Sequence, residues 1–428
     1  MTKILISNGH VVDPANKIDQ AATISVADGK IIAVDLQPTT ESDFSADIVI
    51  DASDKIVCPG FIDLSVRLRE PGQSYKGTIA SETQAAAAAG VTSLCLPPDT
   101  SPTIDTQAVV ELINDKSEKA NYSKVLPIGA LTQRLLGKEL SSMAALKEVG
   151  CIAMSNANTP ISNLLVLRRA MEYASSHDLL VIYHPDEPSL SNQGCAHEGA
   201  FSTRYGLPSI PEASESIAVS QCLELAELTG CRLHFSQISS KRSTIKIQQA
   251  KKYGVKVTAD VAIHQLHLTE DDIEPFNSSY HVLPPFRTEK DKQRLREGLA
   301  NGTIDVICSD HQPHDLDAKI GAFPETDTGI ASIETLLPLT LSLVDDNAIT
   351  LSQAIAALSQ NPANILGVQS GALTVGFSAD ICIFDPLVSW QVNRENWNSA
   401  GLNTPFWGET LKGRVMSTIQ SGKIIYAL

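Results

Sequence analysis

Between residues 60 and 310, eight short runs rich in β-branched and apolar residues alternate with stretches that have helical spacing. The runs lie near Ile62 to Val66, Thr92 to Leu96, Lys124 to Ile128, Ile152 to Ser155, Leu179 to His184, Arg232 to Ser236, Val255 to Asp260 and Asp305 to Ser309. Alternation of this kind predicts βα units around a parallel sheet, and eight units over roughly 250 residues predict a (β/α)8 barrel. Helices are expected at Ile79 to Ala89, where alanines allow close packing, and at Pro211 to Thr229. Any site then sits on the loops that follow the strands. The long loops at 185 to 210 and 312 to 331 are candidates for lids or partner surfaces.

The ends of the chain read differently. Period-two alternation is broken by Asn8-Gly9 and Asp28-Gly29 near the start and by Ser421-Gly422 near the finish, which predicts hairpins. The two termini are therefore expected to pair into a small β-sandwich, giving segments 1–55 and 366–428 for that unit and 56–365 for an α/β barrel.

Charge and cysteines narrow the function. Lys and Arg total 33 against 49 Asp and Glu, a net charge of −16. That surplus argues against a sequence-independent grip on nucleic acid or on anionic lipid. Eight scattered cysteines with no Cys-x-x-Cys pair read as buried, reduced thiols, and no run approaches the length of a membrane span. The N-terminus lacks a signal-peptide pattern, so a cytoplasmic location is expected. Neither a Gly-x-Ser-x-Gly elbow nor a phosphate-binding Gly-x-x-x-x-Gly-Lys loop is present.

In order along the chain stand Pro59-Gly60-Phe61-Ile62-Asp63, Leu68-Arg69-Glu70-Pro71-Gly72, Pro98-Asp99-Thr100-Ser101-Pro102, Gly302-Thr303-Ile304-Asp305, Asp310-His311-Gln312-Pro313-His314, Ala379-Asp380 and Asn403-Thr404-Pro405-Phe406. This succession resembles the dihydroorotases of the long bacterial type, within the amidohydrolase superfamily, over nearly the whole chain. The resemblance implies a zinc-dependent opening or closing of the dihydroorotate ring. Metal ligands would be paired histidines on strand one, an Asp after strand four, histidines after strands five and six, and an Asp after strand eight.

This sequence departs from that pattern at the metal. The paired-histidine places hold Ser65 and Arg67, and no histidine lies between His10 and His177 to replace them. A guanidinium is a permanent cation and cannot ligate zinc. Asn156 stands for the acid after strand four and Gln237 for the histidine after strand six, while His184 and Asp310 are retained. Two scattered ligands fall short of the three protein ligands of an ordinary catalytic zinc site. Of the residues that would grip the substrate carboxylate, Arg69 and His314 match, but Asp99 holds the place of an Asn and Leu283 another polar place.

Three readings follow. The resemblance implies, first, a non-catalytic dihydroorotase homologue without metal, kept as a structural subunit with aspartate carbamoyltransferase, the preceding enzyme of pyrimidine synthesis, in a large hetero-oligomer. A homodimer is compatible with the same chain. The second is a working dihydroorotase or related cyclic amidohydrolase with an altered, mononuclear zinc site at His184 and Asp310. The third is a small-molecule binding or sensor module that keeps Arg69 and His314 as an anion clamp.

Local pairings are also expected. With no metal, Asp310 needs a counter-charge, because a buried carboxylate without a partner is costly; Arg67 should lie within reach of Asp310 or Asp99. Arg69 should pair with Glu70 or a nearby acid, and His184 should sit in a hydrogen-bond network. His234, His264 and His267 are expected in the core or rim. Asp310 and His311, adjacent on a strand, must face opposite ways.

Overall fold

A computed structural model describes residues 2–36, 44–273 and 276–428. Its centre is an eight-stranded parallel sheet with strands in sequence order: β1 (Phe61–Asp63), β2 (Val91–Leu96), β3 (Lys124–Ala130), β4 (Ala153–Ser155), β5 (Leu180–Tyr183), β6 (Arg232–Phe235), β7 (Val257–Ala262) and β8 (Val306–Cys308). These are the eight expected runs, five of them one or two residues shorter. Strand β1 stops at Asp63, short of the expected Val66, because the chain there turns to meet β8.

That meeting closes the barrel. Val66 and His311 form a parallel bridge, Arg67 N donates to His311 O at 2.9 Å, and His311 N donates to Ser65 O at 3.1 Å. The seam between the first and last strands thus runs through Ser65 and Arg67. Apolar side chains fill both faces of the strands, as parallel sheets covered by helices require. The helix Asn361–Leu366 plugs the end of the barrel where the strands begin, adding Ala363, Ile365 and Leu366 to an interior cluster with Ile62, Ile128 and Ile182.

The expected helices form at Ile79–Ala88 and Glu212–Thr229. Thr78 caps the first by accepting from Ser81 N. Glu212 and Glu215 occupy the first turn of the second, where the helix dipole favours carboxylates. The 185 to 210 loop carries two short helices, Pro188–Ser191 and Ala200–Tyr205, and a two-stranded ribbon of Ala196–His197 with Ser209–Ile210.

The ends of the chain meet in a second, eight-stranded sheet. Ile4–Asp13 pairs with Ile18–Ala27 on one edge and with Ile48–Asp51 and Ile56–Pro59 on the other, and Ile56–Pro59 pairs antiparallel with Ile381–Gln391 near the C-terminus. The chain leaves this sheet at Pro59 rather than at residue 55. Its apolar face encloses a separate core of Ile4, Ile6, Ile24, Val57, Leu373, Ile381 and Ile419. All eight cysteines are buried free thiols, and no helix among the described residues is long and apolar enough to cross a membrane.

Candidate functional site

At the C-terminal ends of the barrel strands, Asp310 is the hub. Its carboxylate accepts from Ser65 Oγ at 3.2 Å, from Gln312 Nε2 at 3.1 Å and from Gln237 Nε2, and it lies 3.4 Å from Arg67 Nη1. Arg67 Nε donates to Asp99 Oδ2 at 2.7 Å. One buried guanidinium therefore bridges both acids, where either alone was expected. Burial works against the charge on Arg67, but Asp99 and Asp310 outweigh it and hold the guanidinium even more firmly protonated than usual. Burial pushes the Asp310 carboxyl up to about 7, against the opposing pull of Arg67, Gln312 and Ser65.

The backbone is bent to make this cluster. Arg69, Gln237 and Asp310 all adopt left-handed conformations, with φ of 61°, 59° and 49°. Such conformations cost about 1–3 kcal/mol each in non-glycine residues and persist where the surroundings over-determine them. For Gln237 and Asp310 the side-chain bonds that converge on Asp310 supply that constraint, and for Arg69 its contacts with Pro313 and His314 do.

Other expected residues are placed differently. Asn156 does not join the cluster: its side chain accepts from Thr132 Oγ1 at 2.7 Å and donates to Thr159 O at 2.7 Å and Leu135 O at 3.4 Å. An amide offers donors as well as an acceptor, so nearby loop carbonyls satisfy it. Arg69 makes no ion pair with Glu70. Glu70 instead pairs with Lys116 at 2.6 Å and accepts from Ile79 N, while Arg69 donates to Pro313 O at 2.8 Å and contacts His314 Nε2 at 2.8 Å. Burial, with Arg67 adding repulsion, brings the Arg69 guanidinium down to about 10.

His314 is also contacted at Nδ1 by Lys76 Nζ at 3.1 Å, and burial beside Arg69 and Lys76 pushes its imidazole down to about 3. A neutral ring that accepts from Lys76 through Nδ1 donates through Nε2 to Thr328 O, 2.9 Å away, and at that nitrogen cannot also accept from Arg69. His184 is not tied into a network: among the described residues its buried Nδ1 has no hydrogen-bond partner, and burial lowers its pKa. The ring lines a cavity of about 100 Å³ with Asn158, Asp186, Glu215, Leu283 and Arg287.

His234 is a core residue, with Nε2 2.9 Å from Asp260 and Nδ1 2.8 Å from Thr258 Oγ1. His264 packs edge-on against Phe286, and His267 donates to Leu339 O. Asp310 and His311 do face opposite ways: His311 turns outward from the barrel to Glu82 Oε2 at 2.8 Å, and its Nδ1 accepts from Ser332 N at 3.1 Å.

Sequence reasoning missed the supporting residues. Gln312 gives Asp310 two bonds, and Asp63 accepts from Ser65 N and Ser309 N, pinning the two strand ends that carry the cluster. Burial pushes Asp63 up to about 7. A usable signal was there: a carboxylate inside the apolar run Phe61-Ile62-Asp63-Leu64 must find partners once buried. Among the described residues, no three His, Cys, Asp or Glu side chains come together as a group able to hold a metal ion.

A family profile described as Dihydro-orotase-like matches residues 54–243. A dihydroorotase-like protein of Pseudomonas putida is 46% identical over 423 residues, spanning 99% of each chain. A dihydroorotase of Syntrophus aciditrophicus is 41% identical over 424 residues, again spanning 99% of each. Among solved structures, L-hydantoinase (dihydropyrimidinase) from Arthrobacter aurescens superposes with a TM-score of 0.89 at 23% identity, over 100% of this chain and 96% of that one, which is a likeness of fold. The barrel, the succession of motifs and an identity of 46% carried from end to end place this chain in the dihydro-orotase-like family of the amidohydrolase superfamily.

Proposed function

We propose that this chain is a dihydroorotase homologue that has lost catalysis and serves pyrimidine synthesis as a structural subunit of an aspartate carbamoyltransferase assembly. The observation that carries this reading is the Arg67 guanidinium set across Asp99 and Asp310. A tethered cation there supplies the charge a metal would bring, but it cannot ligate water or lower its pKa. The donor set does not fit zinc: Ser65, Arg67 and Gln237 stand where imidazoles would be needed, and Asn156 is engaged elsewhere. No catalytic step is therefore routed through a metal.

The working-enzyme reading draws its support from the relatives named dihydroorotase. A zinc ion shared by His184 and Asp310 would have to displace Arg67 from Asp310 and tolerate its charge. Two measurements separate the readings. Purified chain should hold no stoichiometric zinc and should leave dihydroorotate unopened with zinc added; tight zinc with turnover overturns the proposal. Co-expression with aspartate carbamoyltransferase from the same organism should yield a large complex on which transferase activity depends, and two separately eluting, independently active proteins would sink the subunit role. The sensor reading predicts saturable binding of dihydroorotate or carbamoyl-aspartate in calorimetry, lost in Arg69→Met.

A further inference from the structure

A cavity of about 610 Å³ opens at the end of the barrel opposite the Arg67 cluster, beneath the starts of β5, β6 and β7 and beside the helix Asn361–Leu366. Its size is that of a small-molecule site. Leu180, Leu233, Val257 and Ile365 form an apolar floor, and Arg232, Lys256, Thr258, Asn361 and Asn364 supply polar groups.

The charge left over there is positive. Asp305, the one acid among the described residues of the wall, is already engaged: its Oδ2 accepts from Lys251 Nζ at 2.6 Å and from Ala259 N at 2.8 Å. Arg232 is anchored by Ile365 O at 2.7 Å, with the exposed Asp178 3.6 Å away, a solvent-screened pair of little worth. Neither Lys256 nor Asn364 has a side-chain partner among the described residues. Cations and amides above an apolar floor suit a ligand with a carboxylate and a short carbon skeleton; inorganic phosphate would leave the floor uncovered.

A hydrogen-bonded column leads from this cavity through the barrel. Thr258 Oγ1 meets His234 Nδ1 at 2.8 Å, His234 Nε2 meets Asp260 Oδ2 at 2.9 Å, and Asp260 Oδ1 accepts from Gln237 N at 2.6 Å. Gln237 in turn donates to Asp310. Thr258, at one end of this column, is part of the cavity wall.

We propose that this cavity is a binding site for a small organic carboxylate, connected through Thr258 and His234 to the cluster at the other end of the barrel. The inference is independent of whether the chain is catalytic. Succinate is the probe and succinamide its neutral counterpart, titrated against the full chain by calorimetry and by nitrogen-15 spectra of the histidine rings. Saturable succinate binding is expected, with movement of the His234 ring resonances and no binding of succinamide. Lys256→Gln, at an exposed position without partners, should weaken binding roughly fivefold to tenfold without altering the thermal midpoint. Absence of saturable succinate binding in the millimolar range, equal binding of succinamide, or unchanged affinity in Lys256→Gln would each overturn the proposal.

Discussion

Arg67 satisfies two carboxylates, Asp99 and Asp310, with a single guanidinium. Asp310 is buried in this arrangement while Asp99 is open to solvent, and removing the partner of a buried charge ordinarily costs about 3–5 kcal/mol. Arg67→Met should therefore destabilise the chain by an amount of that order in urea titrations, since it strands the buried Asp310. Asp310 can escape by taking up a proton, its carboxyl already standing at about 7. The loss should accordingly be smaller at pH 5.5 than at pH 8. Equal losses at the two values would show that the pair is not what holds this corner together.

Elements are joined by polar residues that their own periodicity does not advertise. Glu82 sits in the alanine-rich helix Ile79–Ala88, yet its carboxylate receives His311 beyond β8, Ser399 Oγ at 2.6 Å and Ala400 N at 3.1 Å from the C-terminal part of the chain. Burial opposes its ionisation, but these donors prevail and hold its carboxyl below the usual range. A single side chain thus ties the first barrel helix to the closing seam and to the far end of the sequence. Glu82→Ala should cost on the order of 3 kcal/mol, and hydrogen exchange should speed up in all three segments together. Exchange altered only in the helix would contradict this coupling. The alanine pattern announced the helix and its close packing; it said nothing of this junction, because the partners lie more than two hundred residues away.

Across the whole molecule, buried titratable groups set how stability responds to pH. Asp63, Asp310 and Glu334 are each pushed up to about 7 by burial. Relative to an unfolded carboxyl near 4, they contribute stability that is complete in acid and lost as pH rises through about 7. Six histidines go the other way: burial lowers His264 and His314 to about 3 and His197, His267 and His281 to about 4, and it lowers His184 as well. Their contribution is complete above about 6.5 and is lost as pH falls toward those values. The histidines outnumber the acids, so the thermal midpoint should fall between pH 7 and pH 4.5. A midpoint that rises over that interval would reverse the balance.

Local pattern and side-chain chemistry carried the sequence a long way. Eight apolar runs at βα spacing specify the barrel because period and turn chemistry are local properties, and that Arg67 cannot ligate a metal is legible in the sequence because ligand ability belongs to the side chain itself. What each side chain touches was decided by the tertiary structure. Whether Arg67 met Asp99 or Asp310, that Asn156 turned to Thr132, that Arg69 left Glu70 to Lys116 and that His184 faced a cavity without a partner all depend on which strand ends the closed barrel brings within a few ångströms, and hydrogen bonds and ion pairs are decided at that range.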